Sequence, residues 1–193
     1  RILFNVINAW VTPWVLAASS MAPLGPAHLV ATRFAAGTGE LVLVDVRQGF
    51  ATPLAADWLE FESLCAVGGT VAFIGRRADA PPAIVTMRLD DGTTNVVASA
   101  WLPPLDPDAI SHAEPRAFRT RDGADIHAYL YRPAASARTP GPGTRFPLLV
   151  TVHGGPTARA SAALNLRVQY FTTRGWAVLD VDYRGSSGYG RRY

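Results

Sequence analysis

Between residues 21 and 100 the apolar positions come in short runs broken by turn-forming residues, and no stretch carries a helical period. Residues 28–34, 41–46, 70–75 and 84–89 are the clearest strand-length runs. Two segments are alike at a fixed spacing: LVLVDVRQGFATPLA begins at Leu41 and IVTMRLDDGTTNVVA at Ile84, an offset of 43 residues. That offset aligns Gly49 with Gly92 in turns that each join a longer strand to a shorter one. It also lays HLVATRF, from His28, on VAFIGRR, from Val71. Strand–turn–strand units repeating at about 40–50 residues are the mark of propeller blades, small sheets that stack radially to bury their faces. Residues 21–100 make about two blades, whereas a closed ring takes about 4–8. The remaining blades are expected upstream of Arg1. A generic β-sandwich is the alternative.

The pattern changes after residue 110. AFRTRDGADIHAYLY, residues 117–131, alternates on both sides of Asp122-Gly123 and predicts an antiparallel hairpin. Ile126, Ala128 and Leu130 share one face, and His127, Tyr129 and Tyr131 the other, more polar one. Residues 146–152 are nearly continuous in apolar character, as in a strand buried on both faces. Leu164, Val168 and Phe171 give residues 161–174 a helical period, with Gly175 placed as a C-cap. Residues 176–181 form a second apolar strand, followed by a glycine-rich loop from Asp182 to Gly190.

Composition adds several exclusions. The chain has 193 residues, 49% hydrophobic, enough for one or two domains with cores. The single cysteine, Cys65, excludes an internal disulfide, a Cys-rich zinc site and a CxxC pair, and fits a reducing, cytoplasmic location. No run of about 20 apolar residues exists, so no membrane span is expected. The apolar stretch 6–18 is interrupted by Asn8 and Pro13 and reads as an interior strand-rich segment rather than a signal peptide. All 18 basic residues are arginine. Schiff-base chemistry, Ser-Lys dyads and a Walker A lysine are thereby excluded within the chain. Residues 1–110 carry a net charge of −4 and residues 111–193 a net of +7. The arginines are scattered among apolar runs, so the asymmetry reads as two domains and not as a nucleic-acid arm. The Pro-rich stretch 102–107 reads as the linker. Trp10, Trp14, Trp58 and Trp101 are expected to be packing anchors, His28 a plain strand residue, and Glu60 and Glu62 solvated acids. No donor set at metal-ligand spacing is present, and no cofactor is expected.

The candidate chemistry lies in LLVTVHGGPTAR, residues 148–159. A buried strand that opens into His153-Gly154-Gly155-Pro156 and then a helix is the context in which an α/β-hydrolase loop supplies an oxyanion-hole N–H. Glycines let an amide approach a substrate with no Cβ in the way.

HGGP, Gln169 and the run RGWAVLDVDYRGSSGYGRRY together resemble the prolyl oligopeptidase family, closest to its acylaminoacyl-peptidase and dipeptidyl-peptidase-like branch. FRTRDGADIHAYLYRP is similar to that family's entry into its hydrolase domain. The resemblance is specific over residues 111–193 and only patterned over 1–110. It implies a partial β-propeller, the last blades, over 1–110, followed by the N-terminal part of an α/β-hydrolase domain over 111–193. It implies His153, Gly154 and Gly155 as the oxyanion hole, with Pro156, Tyr183, Arg184 and Gly185 in active-site loops. Some branches carry Tyr at the His153 position, where its hydroxyl serves the oxyanion. With His there, the Gly154 and Gly155 amides carry more of that work. Asp182 stands where the family more often has Asn, a tolerated variant. The implied activity is acyl-enzyme hydrolysis of short peptides or acylated amino acids, with a peptide as the partner, no cofactor, and a homo-oligomer left open.

The nucleophile elbow G-x-S-x-G is absent. Gly185-Ser186-Ser187-Gly188-Tyr189 comes nearest, but its fifth residue is Tyr and it follows the fourth hydrolase strand, one strand early. The chain is therefore expected to be an inactive piece of a larger serine peptidase. A non-enzymatic binding remnant and half of a split enzyme are the alternatives, with an esterase disfavoured by the repeat.

Overall fold

The computed structural model describes residues 19–35, 38–54, 57–137, 145–155, 158–190, 192 and 193. The segment 6–18, with Trp10 and Trp14, lies outside them. The chain divides into two compact units, one of residues 1–101 and 188–192 and the other of residues 102–187 and 193, so that the first division falls at the start of the Pro-rich stretch.

The first unit holds two antiparallel meanders. Strands β1 (Met21–Pro23), β2 (His28–Ala35), β3 (Thr38–Asp45) and β4 (Phe50–Pro53) form one four-stranded sheet in chain order. Strands β5 (Glu60–Val67), β6 (Thr70–Arg76), β7 (Ala83–Arg88) and β8 (Thr94–Ser99) form the next in the same order. The sequence repeat thus lays β2 on β6, β3 on β7 and β4 on β8. Gly49 and Gly92 occupy equivalent turns at φ 75° and 71°, a region that a Cβ disfavours.

Alternation within each strand sends Val30, Leu41, Val71, Phe73, Val85 and Met87 into one core shared by both sheets. Burying each such side chain stabilises by about 1.5–3 kcal/mol. The buried Thr32 hydroxyl donates to the Phe61 carbonyl across the sheets, at 3.2 Å. Trp58 anchors as expected, edge-on to Phe73 with ring centroids 6.2 Å apart. Trp101 does not: it is 86% exposed and follows β8, whose residues are all exposed. Glu60 and Glu62 are not simply solvated, because both face Arg76, at 3.8 and 2.9 Å. His28 is a strand residue, 3.8 Å from Asp45.

The second unit begins with a 3-10 turn, Pro107–Ala109, capped by Asp106. Strands β9 (Glu114–Arg119), β10 (Asp125–Tyr131), β11 (Leu148–Val152) and β12 (Ala177–Asp182) form a sheet in the order β11-β12-β10-β9. β9, β10 and β12 pair antiparallel, and β11 runs parallel to β12. Helix α1 (Leu166–Thr172) connects the parallel pair.

Two expectations are corrected here. The helix is shorter than 161–174, because Asn165 caps it by accepting the Arg167 N–H and residues 161–164 are not helical. Its end is as expected. Gly175, at φ 83°, donates to Thr172, and Trp176 donates to Phe171, the paired bonds of a Schellman motif. β11 is not buried on both faces. It is the sheet edge, and Leu148, Val150 and Val152 are 52%, 54% and 64% exposed, because within this unit only the Leu149 face has a cover. On β10 both faces carry buried residues, Ala128 on one and Tyr129 and Tyr131 on the other. Tyr129 and Tyr131 join Val168 and Val178 in the core, and the Tyr131 hydroxyl donates to Ser161.

Gln169 locks the helix to the strand entry. Its Oε1 accepts the Ser111 N–H at 2.7 Å and its Nε2 donates to the Ser111 carbonyl at 3.0 Å, all buried.

Candidate functional site

Parallel pairing brings the C-terminal ends of β11 and β12 side by side, so the loops 153–160 and 182–187 share one sheet end. The second loop is the mould for the first. The Tyr183 hydroxyl donates to the carbonyls of His153 and Gly155, at 3.2 and 3.1 Å. Its ring stacks on the His153 imidazole with centroids 4.5 Å apart. The Ser187 N–H donates to the Ala158 carbonyl at 3.0 Å, and the Ala160 N–H to Asp182 Oδ1 at 2.6 Å. Gly155 sits at φ 78°, which allows the loop its reversal. Gly154 and Gly155 are exposed, and neither N–H has a partner among the described residues. A Cβ built on either meets nothing within 4 Å. Two solvent-facing donors at the end of a parallel strand are therefore the chemically available groups here.

His153, Asp182 and Ser186 lie together beneath them. His153 Nε2 is 2.7 Å from Ser186 Oγ and 3.6 Å from Asp182 Oδ1. The Ser186 hydroxyl gives its one proton to the Tyr183 carbonyl at 2.6 Å, so Nε2 must be the protonated ring nitrogen that donates to Oγ. His153 Nδ1 is buried and has no partner among the described residues. This is not a catalytic triad. A relay needs the hydroxyl and the carboxylate on different ring nitrogens, and here both face Nε2. Ser186 is also only 4% exposed. On the same sheet face, Thr151 donates to Asp180 at 2.8 Å. Burial holds the Asp180 carboxyl above its ordinary range; the Thr151 bond opposes this, and the neighbouring Asp182 adds to it.

No protein-family model matches the chain. Dipeptidyl aminopeptidase BIII of Pseudoxanthomonas mexicana is 34% identical over 118 residues, 60% of this chain and 17% of that protein. The acylamino-acid-releasing enzyme of Sus scrofa is 38% identical over 69 residues, 36% of this chain and 9% of that protein. A puromycin-hydrolyzing peptidase of Mycobacterium tuberculosis has a TM-score of 0.81 at 32% identity, covering 94% of this chain and 28% of its own. These similarities in sequence and fold are to peptidases of the prolyl oligopeptidase family. The chain spans about a quarter or less of the length of these relatives. The paired meanders match the propeller domain of the family's solved structures.

Of the residues that the sequence pointed to, His153, Gly154, Gly155 and Tyr183 come together, and Pro156 lies outside the described residues. Arg184 turns instead to the hairpin, where it pairs with Asp122 at 2.6 Å. Thr120 and then Arg184 hold the Asp122 carboxyl below its usual range. Gly185, at φ 96°, donates its N–H to the Tyr193 carbonyl. Asp182, Ser186 and Ala160 went unread as parts of the site. Two signals pointed to Asp182: its position two residues after Asp180 on one face of β12, and its departure from the Asn that the resembled family more often has there. Among the described residues no group of three or more His, Cys, Asp or Glu is arranged to hold a metal ion.

Proposed function

We propose that this chain contributes the oxyanion donors of a serine-type peptidase that hydrolyses short peptides or acylated amino acids through an acyl-enzyme. In this reading the second unit opens an α/β-hydrolase domain, and the sheets of the first are the last blades of its propeller. The observation that carries it is the pair of exposed amides at Gly154 and Gly155, without a partner among the described residues and held by Tyr183 at the end of a parallel strand. A serine attacks the scissile carbonyl, and its oxygen gains negative charge, which these N–H groups meet. One such donor is worth about 3–4 kcal/mol in the transition state. The names of the similar proteins, dipeptidyl aminopeptidase and acylamino-acid-releasing enzyme, support the substrate class. G-x-S-x-G is absent from the 193 residues, and the relatives are several-fold longer. The proposal therefore places the nucleophile, its histidine and its aspartate in further chain, within a cytoplasmic protein.

Fluorophosphonate labelling of the intact gene product, with peptide mapping, tests this. The label is expected on a serine outside residues 1–193 and is expected to persist in Ser186→Ala. Gly154→Pro, which deletes one N–H at a position without a positive φ, is expected to lower kcat on a dipeptidyl or acyl-aminoacyl chromogenic substrate by about 10²-fold or more. Label on Ser186, or hydrolysis of none of these substrates, overturns the reading.

A further inference from the structure

We infer that Asp182 is the positioning residue for the Gly154 and Gly155 amides, acting through both ends of the loop that carries them. This rests on the oxyanion reading above and adds what holds that site in shape. A single carboxylate oxygen, Oδ1, is the common point. At the far end of the loop it accepts the Ala160 N–H at 2.6 Å. At the near end it lies 3.6 Å from His153 Nε2, whose proton is shared with Ser186 Oγ at 2.7 Å. The side chain of Asp182 is 0% exposed, so water does not compete for it. Asp182 is itself fixed by β12. Its main chain pairs with His127 of β10, and its carbonyl accepts the Tyr193 hydroxyl, which in turn accepts the His127 N–H at 3.0 Å. A rigid sheet position thus clamps residues 153 and 160, and Tyr183 orients the His153 and Gly155 carbonyls. Removing the carboxylate leaves the buried Ala160 N–H without its acceptor and frees one end of the loop, while the amides themselves remain.

The test compares Asp182→Ala with Asp182→Asn in the intact protein. Asparagine keeps an oxygen at the same place, so it is expected to recover most of what alanine loses. In Asp182→Ala, hydrogen–deuterium exchange of the 153–160 segment is expected to rise at least about tenfold, with β6 and β7 unchanged. The kcat is expected to fall about 10–100-fold with KM within about twofold, because the displaced donors serve the transition state rather than the bound substrate. Unchanged exchange at 153–160 in Asp182→Ala overturns the inference, and so does Asp182→Asn matching alanine in both readouts. If the wild-type protein hydrolyses nothing, the peptidase reading fails, and the exchange measurement still decides whether Asp182 holds the loop. Should alanine also strip protection from β10 and β12, Asp182→Ser, too short to reach both loop ends, is judged by the same criteria.

Discussion

Replacing Gln169 by leucine puts the docking of α1 to a quantitative test. The side chain is 8% exposed and satisfies both backbone groups of Ser111, itself 7% exposed. Leucine is of similar size, so the cavity contribution is small. What is lost is one acceptor and one donor, leaving a buried N–H and a buried C=O unmade at about 1–3 kcal/mol each. The loss is then about 2–6 kcal/mol. Native-state hydrogen exchange of α1 and β12 amides reads it locally, which suits a chain of two units that need not unfold together. Opening free energies there are expected to fall by that amount, at least about 30-fold in exchange rate, while β2 and β3 stay unchanged. A loss under about 1 kcal/mol refutes the argument. Gln169→Glu refines it. The acceptor for Ser111 N–H survives, but the second carboxylate oxygen faces the Ser111 carbonyl unless it carries a proton. Folding therefore raises this glutamate's pKa above its unfolded value near about 4.3. Its stability is fully present below that value and lost as pH rises through the folded one. The variant is expected near wild type in acid and near the leucine variant at neutral pH.

Three further outcomes follow from packing and burial. In Gly75→Ala the added Cβ falls 2.4 and 2.7 Å from Trp58 ring atoms that are wedged against Phe73 and Arg77. A loss of about 1–3 kcal/mol in denaturant unfolding of the first unit is expected, and a neutral result means the indole is free to swing. Asp180→Asn removes a half-buried carboxylate whose pKa burial raises, so wild-type stability falls as pH climbs from the unfolded toward the folded value. The variant is expected to melt higher than wild type at neutral pH and to lose that advantage near pH ~3.9 and below. A lower neutral-pH melting temperature would mean that the Thr151 bond outweighs desolvation. Trp101→Ser is expected to change stability by less than about 0.5 kcal/mol, against about 3–5 kcal/mol for Trp58→Ser in chemical denaturation.

The two blades were legible because each strand's alternation and each glycine turn are local properties, and the same local pattern occurs twice. His153, Gly154 and Gly155 were legible for a similar reason: a strand, two glycines and a following helix are read from neighbours in the chain. The exposed face of β11 was not. Its run of Leu148 to Val152 is what a doubly covered strand looks like, and cover is decided by what packs on the sheet rather than by the strand. Trp101 was misjudged on the same ground, since an indole anchors only where another surface meets it.

The helix between β11 and β12 lost its first turn to Asn165, a capping residue whose side-chain bond to Arg167 N–H competes with helix continuation. The amino-acid sequence alone thus determined the strand repeat, the turn positions, the loop that carries the exposed amides and the absence of a nucleophile elbow. Tertiary structure alone decided that Asp182 Oδ1 meets Ala160, that Ser186 Oγ meets His153 Nε2, and that Gln169 closes on Ser111. The physical reason is separation along the chain. Those partners lie 22, 33 and 58 residues apart, and only the parallel pairing of β11 with β12 and the docking of α1 bring them within hydrogen-bond reach.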